Sequence, residues 1–384
     1  MLTRTLTFLL ICSYATLSFA QDVASARKTI DTLTSEYFWG RGYTNNGLKK
    51  ASEYLATEFK HYGLKPLSGK SYSQEFSYPV NTFPGKMTVS INGMELIPGQ
   101  DFIVSADSRG IKAKGKLVEQ DSAHFINTEQ KVVVSLENKL TWSVAPKAEG
   151  YTIIQVLRSS LKGKPASFKV NIENKALDLF TASNICGLIP GTRMPDSLLV
   201  ITAHYDHLGG MGNETFFPGA NDNASGIALL LNLAKYYAAN PQPYSIALIC
   251  FSGEEAGLIG SKYFSEHPLI NLTNVRFLLN LDLAGTGDEG ITVVNASVFT
   301  KEFSILKEIN TANNYFVQVK SRGKAANSDH YWFTEKGIPS FFIYTLGGIK
   351  AYHDVYDISE TLPLTEYNDL FRLITDFNSR LMKP

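Results

Sequence analysis

The sequence of 384 residues predicts an α/β fold: a three-layer αβα sandwich with a mixed, mostly parallel central sheet and a β-rich insertion. Two observations support this prediction. After residue 180, continuous apolar runs typical of buried strands alternate with segments of helical periodicity. Between residues 76 and 175, short alternating runs separated by turn residues replace that pattern.

The charge balance narrows the class of partner. Lys plus Arg and Asp plus Glu are equal at 36 each, and no long run of one sign appears. This balance argues against nucleic acid or an anionic membrane surface as the main partner, and it favours a small molecule or a peptide.

The first twenty residues have the features of a cleaved signal peptide. Arg4 gives a positive start, residues 6–14 are apolar but too short to span a bilayer comfortably, and residues 18–20 (SFA) offer a cleavage site. We therefore expect a secreted or periplasmic protein. A lipoprotein attached at Cys12 is the weaker alternative, because Ile11 is a poor neighbour for that processing.

Two segments follow before the alternating region. Residues 46–62 predict an amphipathic helix that ends at Gly63. Residues 76–175 then predict the insertion, which begins with alternating apolar residues before an Asn92-Gly93 turn. The alternative for this block is a set of hairpins that elaborate the main domain.

The remaining chain supplies the central sheet. Buried strands are predicted at residues 198–201, 245–251, 275–281 and 339–344, with a helix around residues 227–234. Cys186 and Cys250 lie within apolar runs, which indicates buried unpaired thiols and excludes a disulfide scaffold.

Acidic and imidazole side chains follow three of these strands. His204 and His207 lie in the six residues after the first strand, Glu254 and Glu255 lie just after the second, and Asp282 directly follows the third. Because ligands bind at the carboxyl ends of strands in an open α/β sheet, we expect these side chains to meet in one crevice.

The residue types favour zinc. Histidine nitrogen with carboxylate oxygen, and no thiolate, fits a catalytic zinc site better than a structural one. Two imidazoles and three carboxylates exceed the needs of one tetrahedral ion, so we expect two ions about 3.5–4 Å apart. Asp222, in the run GANDNASG before a helix, is the expected bridge between them, and the alternative is that it is only the N-cap of that helix.

The adjacent Glu254 and Glu255 suggest two different roles. Consecutive side chains at a strand end point in different directions, so one carboxylate can bind metal while the other acts as a general base. A solvated loop is the ordinary alternative for such a pair. The buried strand before the pair and Gly253 beside it argue against that alternative.

Five motifs in this order resemble the di-zinc exopeptidases of clan MH, which include secreted bacterial leucyl aminopeptidases and glutamate carboxypeptidase. The motifs are HYDHLG (204–209), GANDNASG (219–226), SGEE (252–255), NLD (280–282) and YH (352–353). The resemblance implies a catalytic domain formed by residues 21–75 and 176–384. Several relatives carry a protease-associated domain where this chain has its insertion, residues 76–175.

The resemblance also implies a role for each site residue. One zinc ion is expected on His204, Asp222 and Asp282, and the other on Asp222, Glu255 and His353.

Further roles surround those ligands. Glu254 is expected to act as the base, Asp206 to orient His204 through its carboxylate, and Tyr352 to donate a hydrogen bond to the oxyanion. His207 is expected to be structural or to support a ligand, and residues 328–330 (SDH) to have a supporting role.

The expected function is hydrolysis of N-terminal residues from peptides that have a free N-terminus. Three alternatives stay open. A carboxypeptidase of the same fold would use the same metals, a glutaminyl cyclase would be a transferase with one zinc, and a non-catalytic binding homologue would be expected to have lost ligands or the base. All of those residues are present in this chain.

Overall fold

The computed structural model describes residues 17–383, with side chains from residue 23. Residues 1–16, most of the predicted signal peptide and including Cys12, lie outside the described residues, and the signal peptide stays a prediction. Within the described part, no helix is both long enough and apolar enough to cross a bilayer.

Seven α-helices occur in the described chain. They are α1 (Leu17–Leu33), α2 (Gly47–His61), α3 (Gly226–Ala239), α4 (Ile259–Glu266), α5 (Thr300–Asn313), α6 (Tyr331–Glu335) and α7 (Tyr367–Leu381). The predicted amphipathic helix is α2, and Gly63 follows it with a φ of 77°, a left-handed conformation that favours glycine after a helix.

Twenty strands form four sheets in the same region. The first eleven are β1 (Lys65–Pro66), β2 (Ser73–Thr82), β3 (Met87–Ile91), β4 (Met94–Leu96), β5 (Phe102–Val104), β6 (Ile111–Lys116), β7 (Val118–Glu119), β8 (His124–Asn127), β9 (Val132–Glu137), β10 (Thr152–Leu157) and β11 (Ser167–Ile172). The others are β12 (Lys175–Ile189), β13 (Met194–His204), β14 (Gly209–Gly210), β15 (Phe216–Phe217), β16 (Tyr244–Phe251), β17 (Val275–Leu281), β18 (Ile291–Val294), β19 (Val319–Ser321) and β20 (Ser340–Thr345).

The central sheet is mixed. Its strand order is β1-β12-β16-β13-β17-β20-β18-β19, and β2 extends it by pairing with β12. The four central strands β16, β13, β17 and β20 are parallel, whereas β12 and β18 pair antiparallel with their neighbours on the two sides. The four buried runs predicted from the sequence fall on these four strands: residues 198–201 lie within β13, 245–251 lie within β16, 275–281 are β17, and 339–344 overlap β20.

Both faces of this sheet are covered, which confirms the predicted fold class. Along β13, Leu199 and Ile201 pack in a core with α1, α2, α3, α5 and α7. Leu198 and Val200 point to the other face, where they pack with Phe264 of α4 and Phe333 of α6. This alternation explains the continuous apolar run, because successive side chains of a central strand face opposite layers.

The insertion contains two sheets of its own, one mixed and one antiparallel. Strands β5-β10-β9-β8-β7 form one sheet, and β4-β3-β11-β6 form the other. The predicted Asn92-Gly93 turn joins β3 to β4, and both residues have positive φ values, 53° and 82°, as a type I′ hairpin requires. These sheets extend from residue 87 to residue 172, since β2 and the paired part of β12 belong to the central sheet.

The insertion does not have a hydrophobic core to itself. Its core residues, such as Phe102 and Trp142, pack with Leu208, Met211 and Phe217 from the segment that follows β13. The Trp142 and Phe217 rings stack with centroids 4.6 Å apart. The insertion therefore packs directly on the loop that begins at the carboxyl end of β13.

Candidate metal centre

The parallel strands bring the predicted site residues to one edge of the sheet. His204 is the last residue of β13 and pairs in register with Phe251, the last residue of β16. Asp282 directly follows β17. The residues after these three strand ends therefore start from neighbouring positions, as the sequence predicts.

The first candidate ligand group consists of His204, Asp222 and Asp282. The ligand atoms of these three buried side chains all lie within 4.8 Å of one another. Nε2 of His204 is 3.4 Å from Oδ1 of Asp222 and 3.4 Å from Oδ1 of Asp282. This is the predicted set for one ion.

The second candidate group shares Asp222 with the first. Oδ2 of Asp222 lies 3.0 Å from Nε2 of His353, and Oε2 of Glu255 lies 3.2 Å from the same nitrogen. The two oxygens of Asp222 thus face two different histidines. His207 also comes within 4.8 Å of the Asp222 and Glu255 ligand atoms.

His207 makes its close contact with Glu255. Its Nδ1 is 2.7 Å from Oε1 of Glu255, and its side chain is fully buried. Oε2 of Glu255 remains directed at His353. His207 is therefore placed to hold one oxygen of Glu255 while the other oxygen faces the centre, in agreement with the supporting part expected for it.

The Asp222 loop is shaped by other side chains. Asp357 accepts hydrogen bonds from the main-chain N–H groups of Asn221 and Asp222, at 2.9 Å and 3.0 Å. Asn223 accepts from the N–H of Gly226 at 2.9 Å, where α3 begins, and donates to the Leu281 carbonyl. The side chain that accepts a hydrogen bond from the start of α3 is thus that of Asn223 and not that of Asp222, so the alternative that Asp222 is only an N-cap is wrong.

Asp206 acts on the main chain of the Glu254-Glu255 pair. Its two carboxylate oxygens accept hydrogen bonds from the N–H groups of Glu254 and Glu255, at 3.2 Å and 3.3 Å. Nδ1 of His204 lies 3.2 Å from the main-chain oxygen of Asp206 and 3.8 Å from its carboxylate. The geometry thus corrects the predicted role, since Asp206 orients His204 through its carbonyl and orients the glutamates through its carboxylate.

His353 is held by the insertion. Its Nδ1 lies 3.0 Å from the main-chain oxygen of Trp142, and its own carbonyl accepts the Trp142 N–H at 2.9 Å. A hydrogen bond from the second ring nitrogen to a carbonyl is the usual way in which a metal-binding histidine is oriented. Tyr352 stacks on the His353 ring, with centroids 4.0 Å apart, and is partly exposed.

A chain of hydrogen bonds supports Asp282. Thr202 donates to Asn280 at 2.6 Å, and Asn280 donates to the Ser328 hydroxyl at 2.7 Å. The Ser328 hydroxyl in turn donates to Oδ2 of Asp282 at 3.2 Å. Of the predicted segment 328–330, Ser328 is therefore the residue that contacts a candidate ligand, and it leaves Oδ1 of Asp282 directed at His204.

The electrostatics of the centre favour a cation. Burial raises the pKa of Glu254 well above its ordinary value; His204 lowers this pKa, whereas the charges of Asp329, Glu255 and Asp282 raise it further. Burial lowers the pKa of His353, but Glu255 and Asp222 raise it to about 11. The carboxylates thus draw protons onto the histidines, and a metal ion, which binds neutral histidine, would release them.

The residues present fit zinc. Oδ1 of Asp282 is buried and has no hydrogen-bond partner among the described residues, a state that is costly for a carboxylate unless a cation completes it. The donor set consists of imidazole nitrogen and carboxylate oxygen without thiolate, which suits a catalytic zinc centre with open positions.

Comparison with known proteins decides the family. Peptidase family M28 matches residues 184–377, just over half of the chain. The chain belongs to peptidase family M28. The matched region of this M28 chain begins within β12 and ends within α7, so it includes every candidate ligand.

Curated relatives match the M28 chain in part. Aminopeptidase YwaD of Bacillus subtilis is 27% identical over 254 residues, which are 62% of this chain and 53% of that protein. A probable zinc metalloprotease of Pyrenophora tritici-repentis is 40% identical over 114 residues, or 29% of this chain and 24% of the relative. The chain thus spans between about a quarter and about half of the length of these relatives.

Solved structures share the fold over nearly the full length. BSAP, a zinc aminopeptidase from Bacillus subtilis, has a TM-score of 0.66 at 20% identity and covers 94% of this chain and 95% of its own. An M28 peptidase precursor from Shewanella amazonensis has a TM-score of 0.68 at 13% identity, with 96% of each chain covered. At these identities the likeness supports the M28 fold, insertion included.

Sequence reasoning missed three residues that shape the centre: Arg41, Trp142 and Asp357. Arg41 donates to main-chain carbonyls, and Trp142 offers its own main-chain carbonyl to His353. Such contacts cannot be inferred from the residue types, because every residue has a carbonyl. Asp357 gave a weak signal, because it is an acidic residue four positions after His353. Spacing alone does not distinguish such an aspartate from a surface residue.

Proposed function

We propose that this protein is a zinc-dependent aminopeptidase that binds two zinc ions and hydrolyses peptides with a free N-terminus. His204, Asp222 and Asp282 would hold one ion, and Asp222, Glu255 and His353 the other. Membership of family M28 and the partial similarity to aminopeptidase YwaD support this assignment.

The observation that carries the proposal is the position of Asp222. Its Oδ1 faces His204 and its Oδ2 faces His353, at 3.4 Å and 3.0 Å. A buried carboxylate with one oxygen in each of two ligand groups is the arrangement that a pair of metal ions needs. A site for a single ion would not need the second ligand group, Glu255 and His353.

The chain's own residues account for the proton transfers. Bound zinc supplies Lewis acidity and lowers the pKa of water. Glu254, held at its main chain by Asp206, accepts a proton from the attacking water and returns it to the leaving amine.

Tyr352 is the proposed hydrogen-bond donor to the oxygen on which negative charge develops. Burial and the nearby carboxylates raise the pKa of its hydroxyl above the ordinary value, so the hydroxyl keeps its proton.

The test is a panel of chromogenic substrates with matched side chains, blocked at either the N-terminus or the C-terminus. We expect release from substrates with a free N-terminus, loss of that activity with a chelator, and recovery on addition of zinc. Total zinc by mass spectrometry is expected to be two ions per chain.

Each competing function gives a different result in this panel. Hydrolysis only of substrates with a free C-terminus would indicate a carboxypeptidase, and cyclisation of N-terminal glutamine with one bound zinc would indicate a glutaminyl cyclase. Activity that survives complete removal of metal would contradict the proposal as a whole.

We also propose that the protein is exported by a cleaved signal peptide. Residues 1–20 carry the positive start, apolar stretch and small residues that signal peptidase requires. N-terminal sequencing of the protein from expressing cells is expected to begin at Gln21. A chain that retains Met1 in the cytoplasm, or a lipid attached to Cys12, would contradict this expectation.

A further inference from the structure

Arg41 is a buried cation far from the candidate ligands in sequence. It ends the short 3-10 segment Glu36–Arg41, and its side chain is fully buried. Its φ is 47°, in the left-handed region that a side chain disfavours. Such a conformation persists only where the surroundings hold the residue in place.

Every donor of the Arg41 guanidinium is used, and every acceptor is a main-chain carbonyl. Nε donates to Tyr205 at 2.8 Å, Nη1 to Leu33 at 3.1 Å and to Pro218 at 2.7 Å, and Nη2 to Gly219 at 2.8 Å and to Asp222 at 3.2 Å. A guanidinium has five N–H groups, so its capacity is filled. None of the ion pairs among residues 23–383 involves Arg41.

The acceptors belong to the two segments that carry candidate ligands. Tyr205 directly follows His204, while Pro218 and Gly219 lead to Asp222, whose own carbonyl is also bound. Leu33 ends α1 and links both segments to the helical layer. One planar side chain thus fixes the distance between the main chains of His204 and Asp222.

The hydrogen bonds to carbonyl groups compensate for the burial of the Arg41 charge. Burying a cation is costly unless strong partners compensate, and a buried carbonyl without a donor is costly as well. Arg41 meets both needs at once. Burial lowers the pKa of Arg41 to about 10, while Asp222, Asp357 and Asp206 act in the opposite direction.

We propose that Arg41 is a positioning residue that sets the zinc affinity of the site by holding the main chains of His204 and Asp222 in the geometry that zinc requires. This inference rests on the proposed zinc site. All five hydrogen bonds that Arg41 donates go to main-chain carbonyl groups, and none goes to a candidate ligand side chain.

Charge and geometry predict opposite signs for the loss of Arg41. A positive charge beside a cation site repels the cation, so its removal by charge alone would strengthen zinc binding. Loss of the five hydrogen bonds would instead let the two ligand segments relax, and would weaken zinc binding. The direction of the change therefore distinguishes the proposal from a simple charge effect.

The experiment measures zinc affinity by competition with a chelating dye on metal-depleted full-length protein, together with thermal unfolding in the absence of zinc. We expect Arg41→Met to weaken zinc binding by about 10- to 100-fold, the usual effect of removing a partner that orients metal ligands. Arg41→Lys keeps the charge but lacks the planar fork, so we expect most of the loss to remain.

Phe377→Leu is the control for a change of stability alone. Phe377 is buried in α7 against Phe277, near the start of β17 and away from the strand end that carries Asp282. We expect this variant to unfold at a lower temperature and to bind zinc like the wild type. A variant that loses stability without losing affinity shows that the Arg41 effect is not a general one.

Each result decides between the proposals. Failure of the wild type to bind zinc would overturn the proposed function, and this inference with it. Wild-type binding together with unchanged or tighter binding by Arg41→Met would overturn the role of Arg41 alone. If Arg41→Met does not fold, Arg41→Lys decides, because full affinity in that variant would show that charge suffices.

Discussion

The Glu254→Gln variant is expected to bind zinc like the wild type and to lose about 10²- to 10⁴-fold in kcat on aminoacyl substrates. The amide keeps the shape of the side chain but cannot accept a proton from water. Burial already raises the pKa of this carboxyl, so the neutral amide suits its surroundings. The measurement is kcat at saturating substrate, with zinc content determined on the same sample.

Glu266→Gln is the matched control for this loss. It makes the same chemical change at an exposed glutamate, the last residue of α4. We expect wild-type activity and zinc content there. General base catalysis contributes about 10²-fold or more to kcat. If Glu254→Gln kept more than about a tenth of the wild-type kcat, the loss would be too small, and Glu254 would not be the base.

The Asp222→Asn variant is expected to lose affinity for both zinc ions by more than about 100-fold, beyond the usual effect of removing a residue that only orients a ligand. The amide offers one oxygen in place of two, so it cannot supply an oxygen ligand to both the His204 group and the His353 group. Zinc stoichiometry by mass spectrometry and affinity by chelator competition measure the effect, and activity is expected to fall with zinc occupancy.

Asp282→Asn separates a shared ligand from an ordinary one. Asp282 lies in the His204 group only, so this variant is expected to lose one ion and to retain the other. Equal behaviour of the two variants, or two tightly bound ions in Asp222→Asn, would show that Asp222 is not shared between the ions.

Most of the fold was predictable because its strands are buried on both faces. Residues 198–201 have no polar side chain, as a strand between two helical layers requires, and the carboxyl ends of such strands are where ligands gather. His204 and Asp282 could therefore be assigned to one crevice from their positions alone. The bridge at Asp222 needed the further argument that two groups of ligands must share a carboxylate.

The connections that hold the site were not predictable, because they run through the main chain. Arg41 binds the main-chain carbonyls of Tyr205 and Gly219, and every residue type has such a carbonyl. Asp206 illustrates the same limit, since the general rule for metal-bound histidine placed its carboxylate on His204, whereas the fold turns that carboxylate toward the N–H groups of two glutamates. Only the path of the chain decides which acceptor faces which donor.

Two hydrogen bonds join Trp142 to His353, one between main chains and one from the His353 ring to the Trp142 carbonyl, and they limit how the insertion can move. A hinge rotation of the insertion away from the rest of the chain would pull on the segment that carries His353 and would break the orientation of that ring. An unrelated module in place of the insertion would have to offer a main-chain carbonyl at the position of Trp142 to keep the His353 ring oriented. The docked position of the insertion and the orientation of the His353 ring are therefore coupled.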